Sequence, residues 1–171
     1  MNEKTLINLQ RYIGKRNRGQ SDSDVIEYIE KISSKEEITQ NEWEKLLFPT
    51  CADCALIIFE YILSKLIAIQ DPKVLIMHTL RFRKQNNDDE KRQVTIIDKL
   101  FGYVSDTDKP QVRNEALVNA VWFGEFEAAQ YLIHQGADVS YRSQGRSMVE
   151  LSMHAVKAFK DDRVNKMLEK N

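Results

Sequence analysis

The residues best suited to chemistry in this chain are two cysteines spaced C-x-x-C, Cys51 and Cys54. They could form half of a zinc site, but a structural zinc ion needs four protein ligands. The three histidines, His78, His134 and His154, are scattered and provide no second ligand pair. A thioredoxin-like redox pair would need a βαβ setting, which is missing. We therefore interpret both cysteines as buried thiols at a helix start, and expect no metal and no cofactor.

Motifs for catalysis are also missing from the chain. The patterns G-x-S-x-G, H-E-x-x-H, G-x-G-x-x-G and the Walker loop do not occur. His134 falls near the end of a predicted helix, where a cation interacts favourably with the helix dipole. We predict that the protein is not an enzyme. Catalysis by the N-terminal helices is the least favoured alternative, kept because fold and chemistry are only loosely tied.

Composition indicates a folded, soluble protein. The chain has 171 residues, of which 42% are hydrophobic and 30% charged, and its net charge is -1. Balanced charge gives no reason to expect nucleic acid as a partner, and we interpret the basic cluster Arg11, Lys15, Arg16 and Arg18 as a solvated loop. The apolar run 55–69 contains Glu60 and is too short to span a bilayer. Since no secretory signal is recognisable, we expect a cytoplasmic protein, or one delivered by a route without a cleaved signal.

The spacing of apolar residues predicts an all-α fold. Only six Gly and three Pro occur, too few for the frequent turns of an all-β chain. The pattern predicts helices over residues 2–13, from about 25 to 32, from 39 to a stop at Pro49, over 52–70, from 71 to 82 and from 94 to 104. We expect Thr39 and Glu42 to form a capping box and Asp71-Pro72 to begin a helix.

The segment 115–152 predicts a tighter arrangement of two short helices, a Gly-bearing hairpin and a third helix. Gly124 permits a sharp reversal between the first two helices, and Gly136 suits a left-handed helix end. Such short hairpins cannot bury their apolar faces alone, so they need a stacked neighbour. The segment therefore predicts a solenoid-like helical array.

This region resembles the ankyrin repeat. The matching segments are EALVNA (115–120), Gly124, EAAQYLI (127–133), GADVS (136–140), GRSMVELS (145–152) and DRVNKMLE (162–169). They stand where the family has its first turn and helix, its interhelical glycine, its second helix, its closing G-A-D-V-N, and the start and second helix of the next repeat. The chain departs from the family in replacing T-P-L-H by EALV and SMVE and in shortening the finger by one residue.

About two repeats are recognisable, in residues 112–171, whereas a stable array needs about three or more. We therefore divide the chain into residues 111–171, the ankyrin-like repeats, and residues 1–110, a divergent helical part. That part would act as a cap or as degenerate repeats packed on the rest.

The resemblance implies a protein-binding module that uses its fingers and concave face, and a monomer when free. We expect the partner contacts at Trp122, Phe123, Tyr141, Arg142, Gln144 and Arg146, as aromatic anchors and an exposed loop on a rigid scaffold. Packing of Trp122 and Phe123 on the preceding helix is the competing interpretation. An immunity or inhibitor protein that neutralises a toxin or enzyme, and an effector adaptor, stay open as more specific roles.

Overall fold

The computed structural model describes residues 1–14, 19–84 and 86–170. These residues form ten α-helices and no β-strand, which confirms the all-α prediction. The helices are α1 (Glu3–Ile13), α2 (Asp22–Ser33), α3 (Gln40–Asp53), α4 (Leu56–Leu63), α5 (Pro72–Leu80), α6 (Asn87–Phe101), α7 (Lys109–Phe123), α8 (Phe126–His134), α9 (Met148–Phe159) and α10 (Arg163–Leu168). In this described part of the chain, no helix is both long and apolar enough to cross a bilayer.

The helices lie in two rows. Helices α1, α3, α5, α7 and α9 contact one another in that order and form the first row. Helices α2, α4, α6, α8 and α10 do the same in the second row, and each first-row helix also contacts the helix that follows it. The buried core lies between the rows, where aliphatic side chains of both rows meet: Leu46, Ile58, Ile76, Ile97, Leu117 and Leu132 are fully buried.

Several helices begin where the sequence predicts, at residues whose side chains bond to nearby backbone amides. Thr39 and Glu42 form the expected capping box at α3, and Asp71 accepts a hydrogen bond from the Val74 amide at the start of α5. Ser21 caps α2 in the same way as Thr39 caps α3. Each cap satisfies amide groups that have no partner within the helix.

Pro49 was expected to end its helix, and this prediction is wrong because α3 continues to Asp53. A proline inside a helix leaves the carbonyl four residues earlier without its amide donor, here that of Lys45. In this protein the Gln10 side chain of α1 donates to the Lys45 carbonyl at 3.0 Å. A contact between neighbouring helices therefore replaces the hydrogen bond that Pro49 removes.

The predicted continuous helix over residues 52–70 is also wrong. Cys54 has a positive φ of 49° and ends α3, while α4 occupies only Leu56–Leu63. The remaining residues form the loop 64–71. Its backbone is held from α3, since Gln40 bonds the Lys65 carbonyl at 3.0 Å and the Ile67 amide at 2.8 Å.

The helix predicted to begin at residue 94 is α6, and it begins earlier, at Asn87. The polar stretch before residue 94 is the first part of α6, with Asn86 as its cap and Asp88, Asp89 and Glu90 in its first turn. Acidic residues there interact favourably with the helix dipole. The ends of α5 and α6 also differ slightly from the prediction. Helix α5 ends at Leu80 instead of residue 82, and α6 ends at Phe101 instead of residue 104.

Gly124 and Gly136 have the left-handed conformation that the sequence indicates, with φ of 72° and 89°. A Cβ at Gly124 would lie 3.0 Å from the Ala155 Cβ of α9, whereas a Cβ at Gly136 would meet nothing within 4 Å. Left-handed backbone costs about 1–2 kcal/mol for a residue with a Cβ. At Gly124, crowding against a packed helix adds to that cost.

We therefore expect Gly124→Ala to lower the free energy of unfolding by about 2–3 kcal/mol and Gly136→Ala by about 1 kcal/mol. Urea denaturation followed by circular dichroism measures both, and Gly136→Ala is the matched control for backbone strain alone. Equal losses in the two variants would contradict the close approach of α7 and α9.

Candidate partner-binding face

Four of the six predicted contact residues lie in the loop 135–147, between α8 and α9. Ser143 and Arg146 exchange backbone hydrogen bonds of 3.1 and 3.0 Å. Gln144 and Gly145 between them have positive φ values of 51° and 78°, as in a type I′ hairpin turn. The expected Gly-bearing hairpin is thus present, with Arg142, Gln144 and Arg146 exposed and Tyr141 half-buried.

Polar contacts fix the hairpin on α7. The Asn114 side chain accepts a hydrogen bond of 2.8 Å from the Asp138 amide, and Gln111 lies 3.4 Å from the Tyr141 hydroxyl. Within the hairpin, Arg142 donates to the Gly145 carbonyl at 2.8 Å. The loop therefore has a defined position relative to the first-row helices.

Trp122 and Phe123 are the last two residues of α7, and both are half-buried. The Trp122 ring stacks on His154 of α9, with centroids 3.8 Å apart and planes 8° from parallel. His154 Nδ1 lies 2.9 Å from the Trp122 carbonyl oxygen, which can only accept a hydrogen bond, so Nδ1 carries the proton. This ring contact of Trp122 is with α9, the following helix of the first row.

The structure brings Arg146 to the same place. Its guanidinium carbon lies 5.5 Å from the centroid of the Trp122 ring, within the range of a cation–π contact. Tyr141, in contrast, reaches Gln111, which lies roughly 16 Å from Trp122 along α7 at 1.5 Å per residue. The hairpin therefore contacts α7 at two places. Tyr141 contacts Gln111 near the start of α7, and Arg146 contacts Trp122 near its end.

The sequence did not indicate the exposed apolar side chains on and beside the first-row helices. Four of them are 38–46% exposed: Val74, Phe82, Val149 and Met153. Val149 and Met153, four residues apart, lie on one stripe of α9, whereas Phe82 lies just beyond the end of α5. The pattern resembles that of buried residues, so periodicity alone does not reveal that these side chains face outward.

Side chains of neighbouring first-row helices also contact one another. Phe48 of α3 lies 5.1 Å from His78 of α5, and His78 lies 5.1 Å from Phe82, measured between ring centroids. Asn119 of α7 contacts the sulfur of Met77 at 3.2 Å. We define the first-row face as Phe48, Val74, His78, Phe82, Trp122, Val149, Met153 and His154.

Two further loops add exposed apolar groups beside this face. Ile67 in loop 64–71 is 88% exposed, and Tyr103 in loop 102–108 is 40% exposed. A groove of about 410 Å³ lies between these loops and is lined by Ile69, Tyr103 and Gln111 among others. Because Gln111 also contacts Tyr141, the groove adjoins the hairpin.

The carboxylates around the face are used inside the protein. Hydrogen bonds from the backbone and hydroxyl of Ser147 hold the pKa of Glu150 below its usual value, and the Ser140 hydroxyl and amide do the same for Asp138. Glu115 pairs with Lys73 at 2.6 Å. In the described ranges, by contrast, Arg81, Arg142, Arg146 and Lys157 have no carboxylate within 4 Å.

A charged cleft near the C-terminal ends of α5 and α9 is lined by residues that already pair with each other. It measures about 590 Å³ and is bordered by Arg83, Glu90, Phe159 and Arg163, among others. Arg163 binds Glu90 at 2.8 Å and Asp161 at 2.9 Å, and Arg83 binds Asp161 at 2.6 Å. These ion pairs tie α10 and its preceding loop to residues 83–90, which is a structural role.

The cysteines are buried thiols, as expected, but they lie at the end of α3 and not at a helix start. Burial raises the pKa of Cys51 to about 12 and that of Cys54 to about 11. A thiol reacts as its thiolate, so neither side chain is reactive at neutral pH. Among the residues that the structure describes, no cluster of three or more His, Cys, Asp or Glu residues could hold a metal ion.

Lys15, Arg16 and Arg18 of the basic cluster lie outside the described residues.

Comparisons with known proteins identify no relative: no family model, no curated protein and no solved structure matches the chain. The resemblance of residues 112–171 to the ankyrin repeat therefore rests on the sequence pattern alone.

Proposed function

We propose that this protein is an interaction module of ankyrin-repeat type, which binds a protein partner through its first-row face and the hairpin 138–147. One observation carries the proposal. A stack of Trp122, His154 and Arg146 joins the hairpin to α7 and α9, in a row of helices that also carries exposed apolar side chains. Aromatic and arginine side chains are the groups that most often dominate binding energy at protein interfaces.

The arrangement of the helices supports the ankyrin-type assignment. Short helices pair and stack in two rows, and each of the loops 64–71, 102–108 and 135–147 joins a second-row helix to the next first-row helix. In the resembled repeat, these loops are the fingers. Repeats of this kind contact only their neighbours, so they present one extended surface to a partner.

The local geometry favours binding with little loss of conformational freedom. Trp122 is held by ring stacking and by the hydrogen bond from His154, and the hairpin is tied to Asn114 and Gln111. A surface ordered before binding avoids the entropic cost of ordering side chains and loops on docking. The exposed apolar groups then supply the area that a partner can bury.

Site-specific photo-crosslinking tests the proposal in cells. We expect a photoreactive residue at Met153, on the first-row face, to yield a discrete product that excess unlabelled protein competes away. A photoreactive residue at Gln130, exposed on α8 of the second row, is the control. Mass spectrometry identifies the partner. Identical products at both positions, or no competed product at Met153, would contradict the proposal.

We further expect the double variant Tyr141→Ala with Arg142→Glu to lose this crosslinked product without a change in melting temperature. Arg142 is exposed, and Tyr141 is half-buried at the edge of the core with a long hydrogen bond to Gln111, so we expect the stability change to stay within about 1 kcal/mol. Lys91→Glu, an exposed charge reversal on α6, serves as the matched control. A double variant that unfolds, or that still gives the product, would remove the hairpin from the binding site.

A further inference from the structure

We infer that the partner segment docking on the first-row face is an acidic peptide that carries at least two large apolar side chains. This inference rests on the proposed function and specifies the chemistry of the partner. Two observations lead to it: the unpaired cations around the face, and the spacing of its exposed apolar groups.

The charged side chains around the face differ in whether they form an ion pair within the protein. Of the carboxylates, Glu115 pairs with Lys73, whereas Asp138 and Glu150 stay charged and accept hydrogen bonds from Ser140 and Ser147. In the described part of the chain, four nearby cations have no carboxylate within 4 Å, namely Arg81, Arg142, Arg146 and Lys157, although Arg142 and Arg146 lie close enough to Glu150 to lower its pKa. A partner therefore meets positive charge available for pairing, and charge complementarity favours carboxylates.

Arg146 connects the charge to the apolar surface. Its guanidinium lies over the Trp122 ring, which leaves its N–H groups at the edge of the face. The Glu150 carboxylate, the one acidic group of α9, accepts hydrogen bonds from the Ser147 amide at 2.7 Å and hydroxyl at 3.0 Å through a single oxygen, and it forms no ion pair with Arg146. A carboxylate from a partner can thus reach Arg146 while an adjacent apolar side chain contacts Trp122 or Met153.

The spacing of the apolar groups indicates the length of the partner segment. Packed helices lie about 8–10 Å apart, so the row from Phe82 through Trp122 to Met153 extends over roughly 16–20 Å. A helix of about 12 residues or an extended segment of about six spans that distance. Exposed aliphatic groups such as Val149 and Met153 suit peptide side chains better than nucleotide bases, which stack on aromatic rings.

Selection from a random peptide library tests the inference. A phage library of 16-residue peptides is selected on the whole wild-type chain, and enriched peptides are synthesised with fluorescein and titrated by anisotropy. We expect enriched peptides with net negative charge and two or more of Leu, Ile, Met, Phe, Trp or Tyr. Arg142→Glu with Arg146→Glu and Lys157→Glu should weaken their binding at least about tenfold, as should Met153→Asp.

The controls distinguish failure of the acidic-peptide inference from failure of the proposed function. The triple variant Arg142→Gln with Arg146→Gln and Lys157→Gln removes the same charges conservatively and should also weaken binding, while melting curves verify that each variant is folded. Enriched peptides that are neutral or basic but depend on Met153 overturn the acidic partner and leave the proposed function standing. No enrichment, or binding insensitive to Met153→Asp, overturns both. A labelled single-stranded DNA 20-mer that binds more tightly than every peptide also overturns the inference.

Discussion

A fragment of residues 111–171 is expected to show no cooperative thermal unfolding transition under conditions in which the whole chain melts cooperatively. In the intact protein α7 packs on α5, and α8 packs on α6. Removing residues 1–110 would expose those faces and leave two helical hairpins. That is fewer than a repeat array needs, and a chain of about 60 residues buries little apolar surface.

Buried and partly buried polar groups strengthen this expectation. Glu125 accepts a hydrogen bond of 3.1 Å from the Lys84 amide, and Arg163 pairs with Glu90 at 2.8 Å. Both contacts cross the cut, so the fragment would lose the Lys84 amide that Glu125 binds and the Glu90 carboxylate that Arg163 binds, together with its packing. Circular dichroism at 222 nm during heating measures the result, with the whole chain and the fragment 1–110 as references. A sigmoidal melt of the fragment 111–171 would show that the two parts fold independently.

The features of the fold that could be predicted are those determined within a few residues. The Thr39–Glu42 capping box, the Asp71-Pro72 start and the reversal at Gly124 each depend on a side chain or a φ angle acting on adjacent backbone. The start of α6 is also determined within a few residues, although it was not predicted. Asn86 followed by an acidic first turn is a helix-start signal, and the high polarity of the stretch concealed it.

The features that could not be predicted depend on contacts between distant segments. Pro49 continues its helix because Gln10, in another helix, satisfies the Lys45 carbonyl. The break at Cys54 places a residue with a Cβ in the left-handed region, which sequence patterns assign to glycine. Neither outcome can be derived without knowing which helices are neighbours.

The same distinction holds for the candidate site. The hairpin around Gln144 and Gly145 is local and was predicted. The stacking of Trp122 on His154 joins residues 32 positions apart, and it requires the register between α7 and α9. The outward direction of Val149 and Met153 likewise depends on which face of α9 the second row covers. Periodicity identifies a stripe of a helix and not its environment.

We expect Glu125 to make the stability of this protein dependent on pH between about 5 and 8. Its side chain is only 1% exposed, and burial raises its pKa from 4.5 to about 7. The nearby charges and hydrogen-bonding groups are Lys84, Gln93 and Glu90, of which Lys84 and Gln93 oppose the increase and Glu90 adds to it. The buried Gln93 Oε1 has no hydrogen-bond partner in the described structure, and a protonated carboxyl can donate to it whereas a carboxylate cannot.

The direction of the effect follows from proton linkage. Because the folded protein binds this proton more tightly than the unfolded chain, the resulting stability is fully present below pH 4.5 and is lost as the pH rises through about 7. One pH unit corresponds to about 1.4 kcal/mol, so the interval between the two pKa values is worth about 3 kcal/mol. Glu125→Gln keeps a neutral acceptor for the Lys84 amide and gains an amide donor for Gln93. The variant should therefore be more stable than the wild type at pH 8, and the difference should shrink towards pH 5.

Urea denaturation at pH 5, 6, 7 and 8 gives the free energy of unfolding for each protein. Glu150→Gln is the matched control, since Glu150 is exposed and its pKa is lowered by the Ser147 cap. The stability that Glu150 contributes is lost only as the pH falls below its ordinary pKa, so this control should follow the wild-type pH dependence from pH 5 to 8. Parallel pH profiles for Glu125→Gln and the wild type would mean that Glu125 is already ionised at pH 5. The buried Lys84 and Gln93 side chains would then stabilise its carboxylate more strongly than burial destabilises it.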